Sequence, residues 1–90
     1  MDRPVLNAEH IRARIEAALL GATVEIADTT GGGDHYRASV VAEAFEGKGP
    51  VERHRMVYAA LGDEMRSGAL HALELSTYSP AEWTRAGGSR

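Results

Sequence analysis

The sequence predicts an α+β fold in the order α-β-β-α-β-α, with helices packed on one face of a three-stranded mixed sheet. Apolar residues recur at helical spacing in two segments, polar and apolar residues alternate in others, and glycine or proline separates the segments. A chain of 90 residues supports a single core. We therefore predict one domain over residues 1–90, with an ordered core over about residues 7–83 and a disordered tail at 86–90.

The first helix is predicted over about residues 8–20. Asn7 is a favourable N-cap, and Gly21 stands where a helix commonly ends. Between them, the apolar residues at helical spacing are Ile11, Ile15, Ala18 and Leu19. This pattern indicates an amphipathic helix with one buried side.

A hairpin is predicted next, because residues 23–28 and 36–42 both have strand-like patterns. The connecting loop, residues 29–35, contains Gly31-Gly32-Gly33, so we expect it to be conformationally free and able to adapt to a ligand. Its glycines depart from the phosphate-binding patterns and lead into a strand rather than a helix. A flexible hairpin tip is the simpler interpretation of this loop.

A second helix is predicted after Gly49-Pro50, ending at Gly68. Its apolar stripe should pack on the sheet and consists of Met56, Val57, Ala60, Leu61 and Met65. The third strand, residues 70–77, follows this helical crossover and should be parallel to a neighbouring strand. Ser79-Pro80-Ala81-Glu82 has the pattern of a capping box and predicts a short final helix, from which Trp83 folds back onto the body.

Composition excludes several classes of function. The 43% hydrophobic and 26% charged residues argue against disorder, and no apolar stretch approaches the roughly 20 residues of a membrane-spanning helix. The absence of cysteine excludes disulfides and thiolate ligands from this chain. A net charge of −3 provides no general attraction to nucleic acid. Since Met1–Pro4 lacks a signal-peptide pattern, we expect a cytoplasmic protein without a membrane contact.

Two histidines are candidate metal ligands. His71 lies in a strand-like run on the same side as Leu73 and Leu75, where an imidazole would be held rigidly. A lone strand histidine is more often a packed or hydrogen-bonded residue, so both interpretations stay open. His35 closes the hairpin loop, which could carry it towards His71, although alone it would be a solvated imidazole. Two histidines are too few for an autonomous zinc site.

No nucleophile, histidine and acid can be placed together, so we expect the chain not to be an enzyme. A basic cluster formed by Lys48, Arg53, His54 and Arg55 surrounds the start of the second helix. It is either a solvated helical face or a surface for phosphate or for a partner's carboxylates.

Several runs resemble the BolA family: Phe45–Lys48, Arg53–Tyr58, Leu70–Leu73 and Tyr78–Trp83, with Gly33–Tyr36 similar to its IbaG-type branch. Their order and spacing agree over about residues 7–83. The resemblance implies a fold related to the class II KH domain. It also implies a partner, a monothiol glutaredoxin of the CGFS type, and a [2Fe-2S] cluster shared with that partner and glutathione in iron–sulfur trafficking or iron sensing. No cofactor is expected in the isolated protein.

The resemblance also assigns ligands. The family's C-terminal histidine ligand corresponds to His71, and the loop ligand to His35, with Asp34 as a second candidate. Other family members are described as DNA-binding regulators, and here the equivalent surface would include Lys48, Arg53 and Arg55. The turn at Gly47-Lys48-Gly49, however, departs from the G-x-x-G loop of KH domains. A third alternative is a protein-interaction module in which His71 only packs.

Overall fold

The computed structural model describes residues 7–32, 35–67, 70 and 72–87. Within these ranges the predicted α+β class and the antiparallel and parallel strand pairings are confirmed. The elements in chain order are α1 (Ala8–Ala18), β1 (Thr23–Asp28), β2 (His35–Val41), a 3-10 helix (Glu43–Phe45), α2 (Pro50–Ala60), α3 (Gly62–Ser67), β3 (Ala72–Tyr78) and α4 (Pro80–Arg85).

Helix α1 begins and ends as its local sequence dictates. The Asn7 side chain accepts a hydrogen bond from the His10 backbone N–H at 2.8 Å, which satisfies one of the unpaired donors of the first turn. The helix ends at Ala18, slightly earlier than predicted, and Gly21 adopts a positive φ of 81°. Ile11 and Ile15 are completely buried, so the predicted apolar stripe faces the core.

The sheet has the strand order β1-β2-β3, with β1 antiparallel to β2 and β2 parallel to β3. Register places Val24 opposite Val40, and Tyr36 opposite Leu73. Side chains alternate between faces, so one face carries the core and the other carries exposed residues. The core face packs against apolar residues of the helices, namely Ile11, Ile15, Leu19, Val57 and Leu61.

The second predicted helix is two helices in the structure. At Leu61 the backbone N–H donates to the Tyr58 carbonyl, a tighter turn than the α-helical pattern, and α3 begins at Gly62. Leu61 is completely buried, but Met65 is 37% exposed. The prediction that Met65 packs on the sheet is therefore wrong, because the break at Leu61 interrupts the stripe.

Helix α4 begins with the predicted capping box. The Glu82 backbone N–H donates to Ser79 Oγ at 3.3 Å, and the Ser79 backbone N–H donates to Glu82 Oε1 at 2.9 Å. Trp83 contacts Tyr78 edge to face, with ring centroids 4.8 Å apart. The backbone N–H groups of Ala86 and Gly87 hydrogen-bond to the last turn of α4, and the disorder expected for the tail stays a prediction.

Several predicted features lie outside the described residues. They are His71, Asp34, the helix end at Gly68 and the tail at 88–90.

Candidate metal-ligand site

His35 is the first residue of β2 and is partly buried. Its Cα partner in the parallel pairing is Ala72, the residue that follows His71 in the sequence. The prediction that His35 lies on the hairpin loop is therefore wrong, because the strand extends one residue further towards the loop than its pattern indicated. A strand residue presents its side chain from a backbone fixed by pairing, whereas a loop residue does not.

The described part of the hairpin loop, residues 29–32, contains several hydrogen bonds, and the expectation that the loop is conformationally free stays a prediction. The Thr29 backbone N–H donates to the His35 carbonyl at 3.0 Å, and the Thr29 hydroxyl donates to the same oxygen at 3.2 Å. Asp28 Oδ1 accepts from the backbone N–H groups of Thr30 and Gly31. The described turn is thereby connected to β1 through Asp28 and to β2 through Thr29.

Strand alternation places His35 on the same face as Arg37 and Ser39, opposite the core face. On this face Arg37 Nε donates to Glu74 Oε1 at 2.8 Å, across the β2–β3 pairing. Both of these side chains are exposed. His35 thus lies at the end of an exposed sheet face that a second molecule can reach.

His71 and Asp34, the other two candidate ligands, lie outside the described residues. Within the described ranges, no three histidine, aspartate or glutamate side chains are arranged to hold a metal ion. The chain contains no cysteine. His35 is therefore the one predicted ligand that the structure describes, and its role as a metal ligand stays a prediction.

The basic cluster is divided by the structure. Arg53 is only 9% exposed, and its Nη1 donates to Glu82 Oε1 at 2.7 Å while Nη2 donates to Oε2 at 3.2 Å. Arg53 Nε donates to the Lys48 carbonyl at 2.9 Å. The prediction of Arg53 as part of a contact surface is therefore wrong, because its guanidinium is bound inside the protein, where it joins α2 to α4.

This ion pair changes the acidity of both groups. The hydrogen bond from Arg53, supported by the Ser79 backbone N–H, lowers the pKa of Glu82 to about 2. The hydrogen bond to Glu82 raises the pKa of Arg53, although burial opposes this shift. Glu82 is therefore a structural anion that stays charged at neutral pH.

The other members of the basic cluster remain near the surface. Lys48 and Arg55 are exposed, and His54 is partly buried, with its ring edge to face against Tyr58 at a centroid distance of 6.2 Å. These residues can contact a partner or a phosphate group. Because Arg53 is buried, the accessible surface carries less positive charge than the sequence suggested.

A histidine–carboxylate contact was missed by the sequence analysis. His10 Nε2 lies 2.6 Å from Glu64 Oε2, which joins α1 to α3, and the Glu64 side chain is only 11% exposed. Burial raises the pKa of Glu64, but the His10 hydrogen bond and nearby Arg14 bring the pKa below its ordinary value. Because His10 and Glu64 are 54 residues apart, no local pattern signals their contact.

Comparison with known proteins identifies the relatives of this chain. A family model described as BolA-like protein matches residues 6–82. Mouse BolA-like protein 1 is 39% identical over 80 residues, which cover 81% of this chain and only 58% of that relative. Human BolA-like protein 2 is 38% identical over 82 residues, covering 89% of this chain and 93% of the relative.

A solved structure agrees with these matches. The structure of a BolA protein homologue from Coxiella burnetii has a TM-score of 0.76 and 39% identity, covering 88% of this chain and 97% of that one. The BolA resemblance is therefore confirmed, while the IbaG-type branch stays a prediction. In the described ranges, no helix has the length and apolar character needed to cross a membrane.

Proposed function

Because the chain belongs to the BolA family, we propose that it is a non-enzymatic adaptor that binds a monothiol, CGFS-type glutaredoxin and shares a [2Fe-2S] cluster with it. The adaptor would act in iron–sulfur trafficking or iron sensing. The observation that carries the proposal is the position of His35. It lies on a paired strand at an accessible sheet face, opposite the residue that follows His71, in a chain without cysteine.

The available donors support a shared site rather than a closed one. His71 and His35 would serve one iron, while a glutaredoxin cysteine and a glutathione thiolate would serve the other. Imidazole ligation makes such a cluster less negatively charged and raises its reduction potential compared with thiolate ligation. This chain's own contribution is to supply imidazole nitrogens, and the sheet fixes the backbone of one of the two histidines, His35.

The direct test is a titration of a cluster-loaded glutaredoxin homodimer with this protein, followed by visible circular dichroism. The wild-type protein should convert the homodimer spectrum into that of a mixed complex. His71→Ala should abolish this change, and His35→Ala should reduce or alter it. Glu16→Ala is the control, because Glu16 is an exposed residue of α1 that belongs neither to the candidate ligands nor to the basic cluster.

Two results would contradict the proposal. An unchanged spectrum with the wild-type protein would exclude the shared cluster. A His71→Ala protein that gives the wild-type change would exclude His71 as a ligand, and iron, sulfide and glutathione assays on the co-purified complex would then show whether any cluster is bound.

The alternative function, a nucleic-acid-binding regulator, is weakened by the burial of Arg53. That residue was one of the predicted phosphate contacts, and its charge is neutralised by Glu82. Lys48 and Arg55 remain exposed on a chain with a net charge of −3. Gel-shift assays at low salt separate the two functions, because the regulator requires retention that weakens in Arg55→Ala.

A further inference from the structure

The turn that leaves β1, described over residues 29–32, is organised by the carboxylate of Asp28. Asp28 Oδ1 accepts from the Gly31 backbone N–H at 2.8 Å and from the Thr30 backbone N–H at 3.1 Å. Thr30 Oγ1 accepts in turn from the Gly32 backbone N–H at 3.1 Å, and Gly31 adopts a positive φ of 81°. The chain therefore leaves β1 through a hydrogen-bonded turn at residues 28–32.

The same turn is connected to His35 itself. The His35 carbonyl accepts from both the backbone N–H and the hydroxyl of Thr29, the residue bonded to Asp28. On its other side, His35 is paired with Ala72 of β3. The backbone of His35 is thus held from β1 through Thr29 and from β3 through the sheet, which limits the directions in which its imidazole can point.

We propose that Asp28 and Thr29 are positioning residues for His35: they fix its backbone so that the imidazole is presented to iron in one orientation. This inference rests on the proposed function. A ligand that is already ordered loses less conformational entropy when the complex forms. Positioning of His35 should therefore raise the affinity of this protein for the cluster-loaded glutaredoxin. Asp28 touches neither the metal nor the partner in this scheme, and its effect passes through the turn and Thr29.

The experiment compares Asp28→Ala with Asp28→Asn. Asparagine retains Oδ1 as an acceptor for the two backbone N–H groups, whereas alanine removes it. In titrations of the cluster-loaded glutaredoxin, Asp28→Ala should weaken formation of the mixed complex about five-fold, the effect expected from ordering one side chain on binding. Asp28→Asn should stay within about two-fold of wild type by the same reasoning. Glu16→Ala, which removes an exposed carboxylate on α1, is the control.

A second measurement uses the isolated protein without any cluster. The ¹H–¹⁵N heteronuclear NOE of the His35 amide reports motion on the picosecond to nanosecond timescale. It should fall in Asp28→Ala and be restored in Asp28→Asn. An unchanged NOE in Asp28→Ala would overturn the positioning role, whatever the cluster experiment shows.

A double variant shows whether Asp28 acts through His35. Adding Asp28→Ala to His35→Ala should cause no further loss of complex, because the group being positioned is already absent. An additional loss of the same size would overturn the inference, since Asp28 would then act independently of His35.

Failure of the inference is distinguishable from failure of the proposed function. If His35→Ala behaves as wild type in the titration, the ligand role of His35 in the proposed function is wrong, and positioning for iron falls with it. If His35→Ala changes the spectrum while Asp28→Ala does not weaken the complex, only the positioning inference is overturned.

Discussion

The Arg53–Glu82 and His10–Glu64 contacts each join two helices, but they differ in how many hydrogen-bond partners their polar atoms have. Between α2 and α4, Arg53 binds both carboxylate oxygens of Glu82 in a fork geometry, at 2.7 and 3.2 Å. The remaining guanidinium nitrogen, Nε, donates to the Lys48 carbonyl, and the Ser79 backbone N–H adds a donor to Glu82. Each charged group therefore has several partners that replace lost water.

Between α1 and α3 the contact is less complete. His10 Nε2 meets Glu64 Oε2 at 2.6 Å, and Arg14 approaches the same oxygen at 3.7 Å. Glu64 Oε1 is buried and has no hydrogen-bond partner among the described residues. The carboxylate thus loses water on one oxygen without compensation.

The difference teaches that burial alone does not make an ion pair stabilising. Desolvating two charges opposes folding, and only good geometry with additional hydrogen bonds offsets that effect. We therefore expect the Arg53–Glu82 contact to stabilise the fold much more than the His10–Glu64 contact.

The largest expected effect is that of Arg53→Ala, which removes the bidentate pair and the bond to Lys48. We expect the free energy of unfolding to fall by about 3 kcal/mol, towards the lower end for breaking a buried pair because Glu82 can reach water. Urea denaturation measures the change. Arg55→Ala, an exposed neighbour on the same helix, should change stability by less than about 0.5 kcal/mol. A similar loss in both variants would show that the Arg53–Glu82 pair contributes no more to the free energy of unfolding than an exposed arginine does.

The second-largest effect should be that acid weakens the Arg53–Glu82 contact. The pKa of Glu82 is lowered from 4.5 to about 2 on folding, so its contribution is complete above about pH 4.5 and is lost as pH falls towards 2. Urea denaturation at several pH values in this window should show wild-type stability decreasing more steeply than that of Glu82→Gln. Glu64→Gln is the comparison variant, because it removes a different carboxylate. If the stability of Glu82→Gln decreased as steeply as that of the wild type, protonation of Glu82 would not be the cause of the acid sensitivity.

A smaller effect is expected at the incomplete contact. His10→Ala removes the short hydrogen bond to Glu64, and we expect a loss of about 1.5 kcal/mol, the lower end for one hydrogen bond to a charged group. Thermal or urea denaturation tests this value. A loss as large as that of Arg53→Ala would mean that the two contacts are equivalent, and the comparison above would fail.

The smallest effect should come from the exposed pair between β2 and β3. Arg37 and Glu74 are 63% and 70% exposed in their side chains, although their atoms lie 2.8 Å apart. Arg37→Ala should lower stability by less than about 0.5 kcal/mol, and added salt should reduce that difference further. A loss above about 1 kcal/mol would show that the short Arg37–Glu74 distance stabilises the sheet even though both side chains are exposed.

The candidate site was only partly predictable. His35 was identified from its sequence position and its resemblance to the family, but its place in β2 depends on the Thr29 contacts and on pairing with β3. Arg53 looked like a surface cation because it begins the basic run Arg53-His54-Arg55. Its partner is 29 residues away in α4, so the neighbouring residues give no sign of it.

The sequence alone determined the order of the main helices and strands, apart from the division of the second predicted helix, and several of their ends. Asn7 and the Ser79–Glu82 capping box act through hydrogen bonds that span three residues, and alternation in β1 and β2 is a property of each strand. Tertiary structure alone decided which charges meet and where β2 begins, because those outcomes depend on groups far apart in the chain. A local pattern records how a segment can fold, but the partner of a buried charge is set by packing.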